Sequence, residues 1–178
     1  MNEEGFNRLW AVHEIRQLAY RYAFAQDSRD LDLLLSLWAE TEEPARPPVI
    51  DIHTVRSEAA RWFRKGPTIH FVGNHLVDLQ GPDEATGGVY CWAALDFGDE
   101  FVDQAILYQD RYVRRDERWL FLERRHLLWY GQERERNPIR QSPATWPGGY
   151  TGRGSLPGDL PSYQAWREQE RDGEESGR

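Results

Sequence analysis

Apolar residues recur every three or four positions through the first part of the chain. Leu9, Val12, Ile15, Leu18, Tyr22 and Ala25 form one stripe with no Pro or Gly inside it, which predicts a helix from 7 to about 26. The polar break Asp27-Ser28-Arg29-Asp30 holds residues suited to capping the next helix. Leu31, Leu34, Leu35 and Trp38 restart the helical period, so a short second helix is expected to end near Ala39. Three prolines between Thr41 and Pro48 predict a loop. A third helix is predicted over 54–64, with Val55, Ala59 and Trp62/Phe63 on one side and Gly66-Pro67 closing it.

Beyond residue 68 the period changes. Strands are predicted over 69–79, 88–97, 101–114 and 119–130. The connections are Gly81-Pro82-Asp83-Glu84, Gly98-Asp99-Glu100 and Arg115-Asp116-Glu117-Arg118. Turns this short join antiparallel neighbours, because parallel pairs need long crossovers. Helices first and a meander after them give an α+β fold. From Gly131 onward Pro, Gly and charge dominate, with Trp146, Tyr150, Tyr163 and Trp166 spaced among them. The chain therefore divides into a domain over 1–130 and an extension over 131–178. The aromatics of the extension are expected to dock on the domain or on a neighbouring subunit, as a lid or as a clamp. Its highly charged last ~10 residues are expected to be disordered.

The length, 178 residues, fits one ordinary domain. With 22 Lys+Arg against 30 Asp+Glu, the net charge of −8 argues against a nucleic-acid partner, which would need a basic stripe. The single cysteine, Cys91, excludes an internal disulfide and a cysteine-based zinc cage. His53, His70, His75 and His126 show no metal-ligand spacing on one element, and no Gly-rich loop sits between a strand and a helix. No metal and no cofactor are expected. The acidic start and the lack of an apolar run near ~18 residues suggest neither a signal peptide nor a membrane partner, and a cytoplasmic location. Aromatics make up 13% of the chain, enough for a core that leaves room for a pocket.

Three runs carry a family resemblance. Glu14-Ile15-x-x-Leu18-x-x-Arg21-Tyr22-Ala23-x-x-x-Asp27-x-x-Asp30 followed by Leu34-x-x-Leu37-Trp38 resembles the opening helices of the SnoaL-like branch of the nuclear transport factor 2 superfamily. Thr68-Ile69-His70-Phe71-Val72-x-Asn74 resembles its first long strand. Tyr108-x-Asp110-x-Tyr112-x-x-Arg115-Asp116-x-x-Trp119-x-Phe121-x-x-Arg124 resembles its closing hairpin. The resemblance implies a cone, in which a curved antiparallel sheet wraps a long helix around an apolar pocket. Scytalone dehydratase, bile acid 7α-dehydratase, hexachlorocyclohexane dehydrochlorinase, ketosteroid isomerase and polyketide cyclases share this fold with non-enzymatic binding modules, so function has to come from the site.

Asp27 and His70 are the main candidates for chemistry. A carboxylate on one imidazole nitrogen sets the tautomer and stabilises the imidazolium once the ring has taken a proton. The resemblance implies that these two positions form such a pair in the eliminating members of the family. The bland alternative is that Asp27 caps the second helix and His70 is a core histidine. Tyr22 and Arg124 are expected to polarise a substrate oxygen, although strand alternation leaves open whether Arg124 or Arg125 faces inward. Asn74, Tyr108 and Trp92 are expected to contact substrate. Asn74 shares a face with His70 if the strand has no bulge, which sends His75 to the other side. Asp110 is expected to partner Arg124. The implied function is cofactor-independent elimination, or a related proton transfer, on a hydrophobic cyclic small molecule by a homotrimer or homodimer. A binding module without turnover, and a ketosteroid isomerase-like isomerase or polyketide cyclase, are the alternatives.

Overall fold

A computed structural model describes residues 2–64, 66–137 and 156–176. Helix α1 spans Glu3–Ser28; the Asn2 side chain accepts from the Gly5 amide, and Glu3 and Glu4 occupy the positive end of its dipole. Ile15, Leu18, Ala19, Tyr22, Ala23 and Ala25 are its buried stripe, while Leu9, expected on that stripe, is exposed together with Phe6 and Trp10. Arg29 ends the helix in the left-handed conformation, with φ of 58°. Helix α2 (Leu31–Ser36) begins at Asp30, whose carboxylate accepts from the Leu33 amide. Asp30 is thus the cap, and Asp27 is left for another role.

A two-residue strand, β1 (Val49–Ile50), follows the proline-containing loop; two residues are too few to show any period in the sequence. Helix α3 (Ile52–Phe63) is capped by Asp51 and buries Ile52, Val55, Ala59 and Phe63. The meander then runs through β2 (Thr68–Leu79), β3 (Glu84–Asp96), β4 (Phe101–Arg115) and β5 (Arg118–Glu133). The sheet order is β1-β5-β4-β3-β2, antiparallel throughout. The core lies between its concave face and the helices and contains Leu34, Trp38, Val55, Phe63, Trp119 and Phe121. A second apolar cluster, including Ala19, Val89, Cys91, Ile106 and Tyr108, sits further along the same face.

Strand β2 carries a bulge. Val72 pairs with Cys91 and His75 pairs with Val89, so Gly73 and Asn74 together oppose Tyr90 alone. Before the bulge the even-numbered His70 and Val72 face inward; after it the odd-numbered His75, Val77 and Leu79 do. Asn74 is exposed, which corrects the expectation that it reaches the pocket, and His75 is buried in its place. Gly87 makes room for the interior of the cone: a Cβ there would stand 2.9 Å from the Tyr112 ring and 2.8 Å from the Leu76 carbonyl.

Helix α4 (Pro161–Ser176) comes from the extension. Tyr163 is buried and Trp166 packs against the main core, while Ser162 Oγ donates to the Ser28 carbonyl at 2.9 Å. The helix runs through most of the charged end, to Ser176. Trp146 and Tyr150 lie outside the described residues. No helix among the described residues is long and apolar enough to cross a membrane.

Candidate active site

Asp27 stands on the last turn of α1 and His70 near the start of β2. The Asp27 carboxylate gathers three donors. Thr68 Oγ1 and His70 Nδ1 reach Oδ1 at 2.9 and 2.6 Å, and the His70 amide reaches Oδ2 at 2.8 Å. An ionised carboxylate only accepts, so Nδ1 carries a ring proton, and in the neutral imidazole Nε2 then keeps its lone pair. The ring is largely covered, with a side-chain exposure of 12%, yet it lines an internal pocket.

Ala19, Tyr22, Ala23, Val72, Val89, Cys91, Tyr108 and Arg124 complete that lining. The pocket holds about 190 Å³ of empty space, too thinly spread for a water-sized sphere. Of the expected site residues, Asp27, His70, Tyr22, Tyr108 and Arg124 meet here. Trp92 does not. It alternates with the inward-facing Cys91, pairs with Phe71 and is 38% exposed on the outer face. Both faces of β3 are apolar there, and the small side chains are the ones that fit beneath α1.

Arg124, not the exposed Arg125, points inward. Asp110 holds it through two parallel hydrogen bonds, Nε to Oδ1 at 2.8 Å and Nη2 to Oδ2 at 2.7 Å. The rings of Tyr22, Tyr108 and Phe121 stand 4.3, 4.0 and 4.5 Å from its Cζ. Burial opposes the charge, but the Asp110 carboxylate outweighs it and raises the Arg124 pKa above its already high range. Nη1 has no hydrogen-bond partner among the described residues. Burial raises the Tyr22 and Tyr108 phenols above their ordinary range, so both stay protonated donors.

Behind Arg124 and Asp110 lie two further residues, outside the pocket lining, that sequence reasoning did not connect to the site. Tyr112 donates to Asp110 at 2.8 Å, and His75 Nε2 lies 3.0 Å from the Tyr112 oxygen. The Tyr112 proton is committed to Asp110, so His75 must be the donor in that second contact. Burial pushes the His75 imidazole down to about 4. Gly73 in mid-strand was the available signal, since an interior strand glycine often marks a bulge. Cys91 lines the pocket as an inert apolar group, its thiol pushed up by burial to about 12. The described residues hold no cluster of His, Cys, Asp or Glu able to bind a metal ion.

The same fold recurs in solved structures. A type-3 hexachlorocyclohexane dehydrochlorinase from Novosphingobium barchaimii is 20% identical, with 74% of this chain and 94% of that one covered and a TM-score of 0.65. A candidate scytalone dehydratase from Novosphingobium aromaticivorans is 17% identical over 78% of this chain and 99% of its own, with a TM-score of 0.64. No curated protein sequence matches the chain. Similarities this low bear on the fold alone. A family pattern described as a SnoaL-like domain matches residues 7–125, the helices and nearly all of the sheet that build this pocket, and the chain belongs to that family.

Proposed function

We propose that the protein is a cofactor-independent lyase that removes a small leaving group from a hydrophobic cyclic molecule. One observation carries the reading: His70 Nδ1 is 2.6 Å from Asp27 while the other ring nitrogen is left for the pocket. Nε2 takes a proton from a ring carbon beside an electron-withdrawing group. The electrons of that C–H bond form the new double bond, and the bond to the leaving group breaks on the neighbouring carbon. Asp27 balances the imidazolium while it lasts. The imidazolium returns the proton to a departing hydroxyl, which leaves as water. Arg124 Nη1 and the phenols of Tyr22 and Tyr108 are the donors that would stabilise an oxygen gaining charge. The reading is in keeping with the names of two neighbours of the same fold, a dehydrochlorinase and a candidate scytalone dehydratase.

The test is a panel of cyclic β-hydroxy ketones and halogenated rings, followed by product formation. His70→Ala is expected to lower turnover by about 10²–10⁴-fold in a folded protein. Turnover by His70→Ala close to that of the unaltered chain would overturn the reading.

A second reading, a binding module without turnover, is favoured by the narrowness of the pocket. Saturable binding of panel members without product would select it. The isomerase alternative is weakened because Asp110 accepts three hydrogen bonds and cannot serve as a protonated donor.

We also infer self-association as a trimer or dimer. Ile69, Phe71, Tyr90, Trp92 and Trp129 are each at least 38% exposed on the outer side of the sheet, a patch unusual on a monomer. Light scattering is expected to return two or three times the chain mass of 20.9 kDa, and a monomeric mass would refute the inference.

A further inference from the structure

The Asp27–His70 pair has a second support behind it, and it leads away from the pocket into the extension. Arg29 is almost fully buried, with 3% of its surface exposed. Its Nε donates to the Phe63 carbonyl at 3.1 Å, its Nη2 to the Gly66 carbonyl at 2.6 Å, and its Nη1 to the Gln26 carbonyl. Nη1 also reaches Thr68 Oγ1 at 3.1 Å. That same hydroxyl lies 2.9 Å from Asp27 Oδ1. A guanidinium has no acceptor and a hydroxyl has one proton, so the direction is settled: Arg29 donates to Thr68, and Thr68 donates to Asp27. The oxygen that receives the Thr68 proton is the one that holds His70 Nδ1.

The guanidinium of Arg29 is enclosed by three rings. Phe63 lies 5.5 Å from Cζ, and Tyr163 and Trp166, both from α4, lie 6.0 and 5.8 Å away. Burial pulls the Arg29 pKa below its ordinary range, opposed by Tyr163 and Asp27. A buried guanidinium whose cover is removed gains by turning toward water. Helix α4 lies beyond the 7–125 stretch that matches the family.

We propose that Arg29 is a positioning residue, holding the Asp27 carboxylate through Thr68, and that α4 keeps it there, so that the extension completes the scaffold of the working pair. This rests on the reading of Asp27 and His70 as that pair. Docking of Tyr163 and Trp166 fixes Arg29, Arg29 fixes the Thr68 hydroxyl, and the hydroxyl fixes the carboxylate oxygen that orients His70. Undocking α4 loosens the His70 ring while the other residues that line the pocket keep their places.

The ring N–H proton of His70 reports on this without a substrate. Held 2.6 Å from a carboxylate oxygen, it should resonate far downfield and exchange slowly with solvent. Its assignment follows from its absence in His70→Gln. Because Arg29→Met would strand several buried carbonyls and risk unfolding, the variants leave Arg29 in place. Thr68→Val, which keeps the shape and removes the hydroxyl, is expected to shift this resonance, and Thr68→Ser to restore it. In Tyr163→Ala/Trp166→Ala the proton should exchange about tenfold faster while the amide spectrum of the sheet stays native. A resonance in the double variant with unchanged shift and exchange rate would overturn the role of α4. One unchanged in Thr68→Val would overturn the relay. Absence of the resonance from the unaltered protein would overturn the Asp27–His70 pairing itself, and the relay with it.

Discussion

Two polar networks share the interior of the cone, and they are built on opposite plans. In the first, His70 uses one ring nitrogen on Asp27 and turns the other to the pocket. In the second, His75, Tyr112, Asp110 and Arg124 form a chain whose members are committed mainly to one another. Both histidines belong to β2, five residues apart. The first network rests at the end of a helix with its carboxylate half-buried; the second is sealed, with Asp110 and Arg124 side chains 0% and 1% exposed. A group that must take up and release a proton needs an unoccupied atom and a partner that tolerates the change. A group that must hold a charge in place needs neither. The difference separates the residues to alter in testing the proposed activity from those to alter in testing stability, with Arg124, which also lines the pocket, belonging to both.

The sharpest way to break the contrast is Asp110→Ala. It leaves the Arg124 charge buried and uncompensated, which costs about 3–5 kcal/mol, so urea unfolding should show a large loss or a failure to fold. A small change would mean that the second network is not sealed.

Acid should separate the two networks next. Folding lowers the His75 pKa from 6.5 to about 4, through burial and the positive charges of Arg124 and Arg16 against the opposing pull of Asp110. The unfolded chain therefore binds the proton more readily. The contribution of neutral His75 is complete above 6.5 and is lost as pH falls toward 4, up to about 3 kcal/mol. In unfolding curves, the stability of the unaltered protein relative to His75→Phe should fall by this amount as pH drops across that window. A constant difference would show that His75 does not titrate there.

The smallest expected effect is that of Tyr112→Phe. It removes the bond to Asp110 and strands His75 Nε2, at a cost of about 1–2 kcal/mol, while the Arg124–Asp110 pair remains. A melting temperature lowered by a few degrees with panel turnover largely kept is the expected result. Loss of all turnover would place Tyr112 in the first network instead.

Much of the open network was legible in the sequence and little of the sealed one. Asp27, His70, Tyr22 and Tyr108 stand where helical and strand periods, together with the family resemblance, put them. Asp110 and Arg124 were expected to pair, but which of two adjacent arginines faced inward depended on strand register, which no local pattern states. Asn74 and His75 exchanged roles because one extra residue shifts every later side chain to the other face. Trp92 faces outward because apolar residues occupy both sides of β3, so alternation of hydrophobicity cannot tell inside from outside there. The contact of Tyr163 and Trp166 with Arg29 spans more than a hundred residues and obeys no local rule.

The bulge at Gly73 and Asn74 has a meaning in terms of wiring. On a regular strand, residues an odd number apart look in opposite directions, and two histidines five apart could never serve the same interior. The bulge acts as a half-period phase shifter, letting one strand supply a ring to each network. Shortening the strand by a single residue at this point would return everything beyond it to the other phase. The open network, anchored ahead of the shift, would keep its histidine, and the sealed one would lose its own.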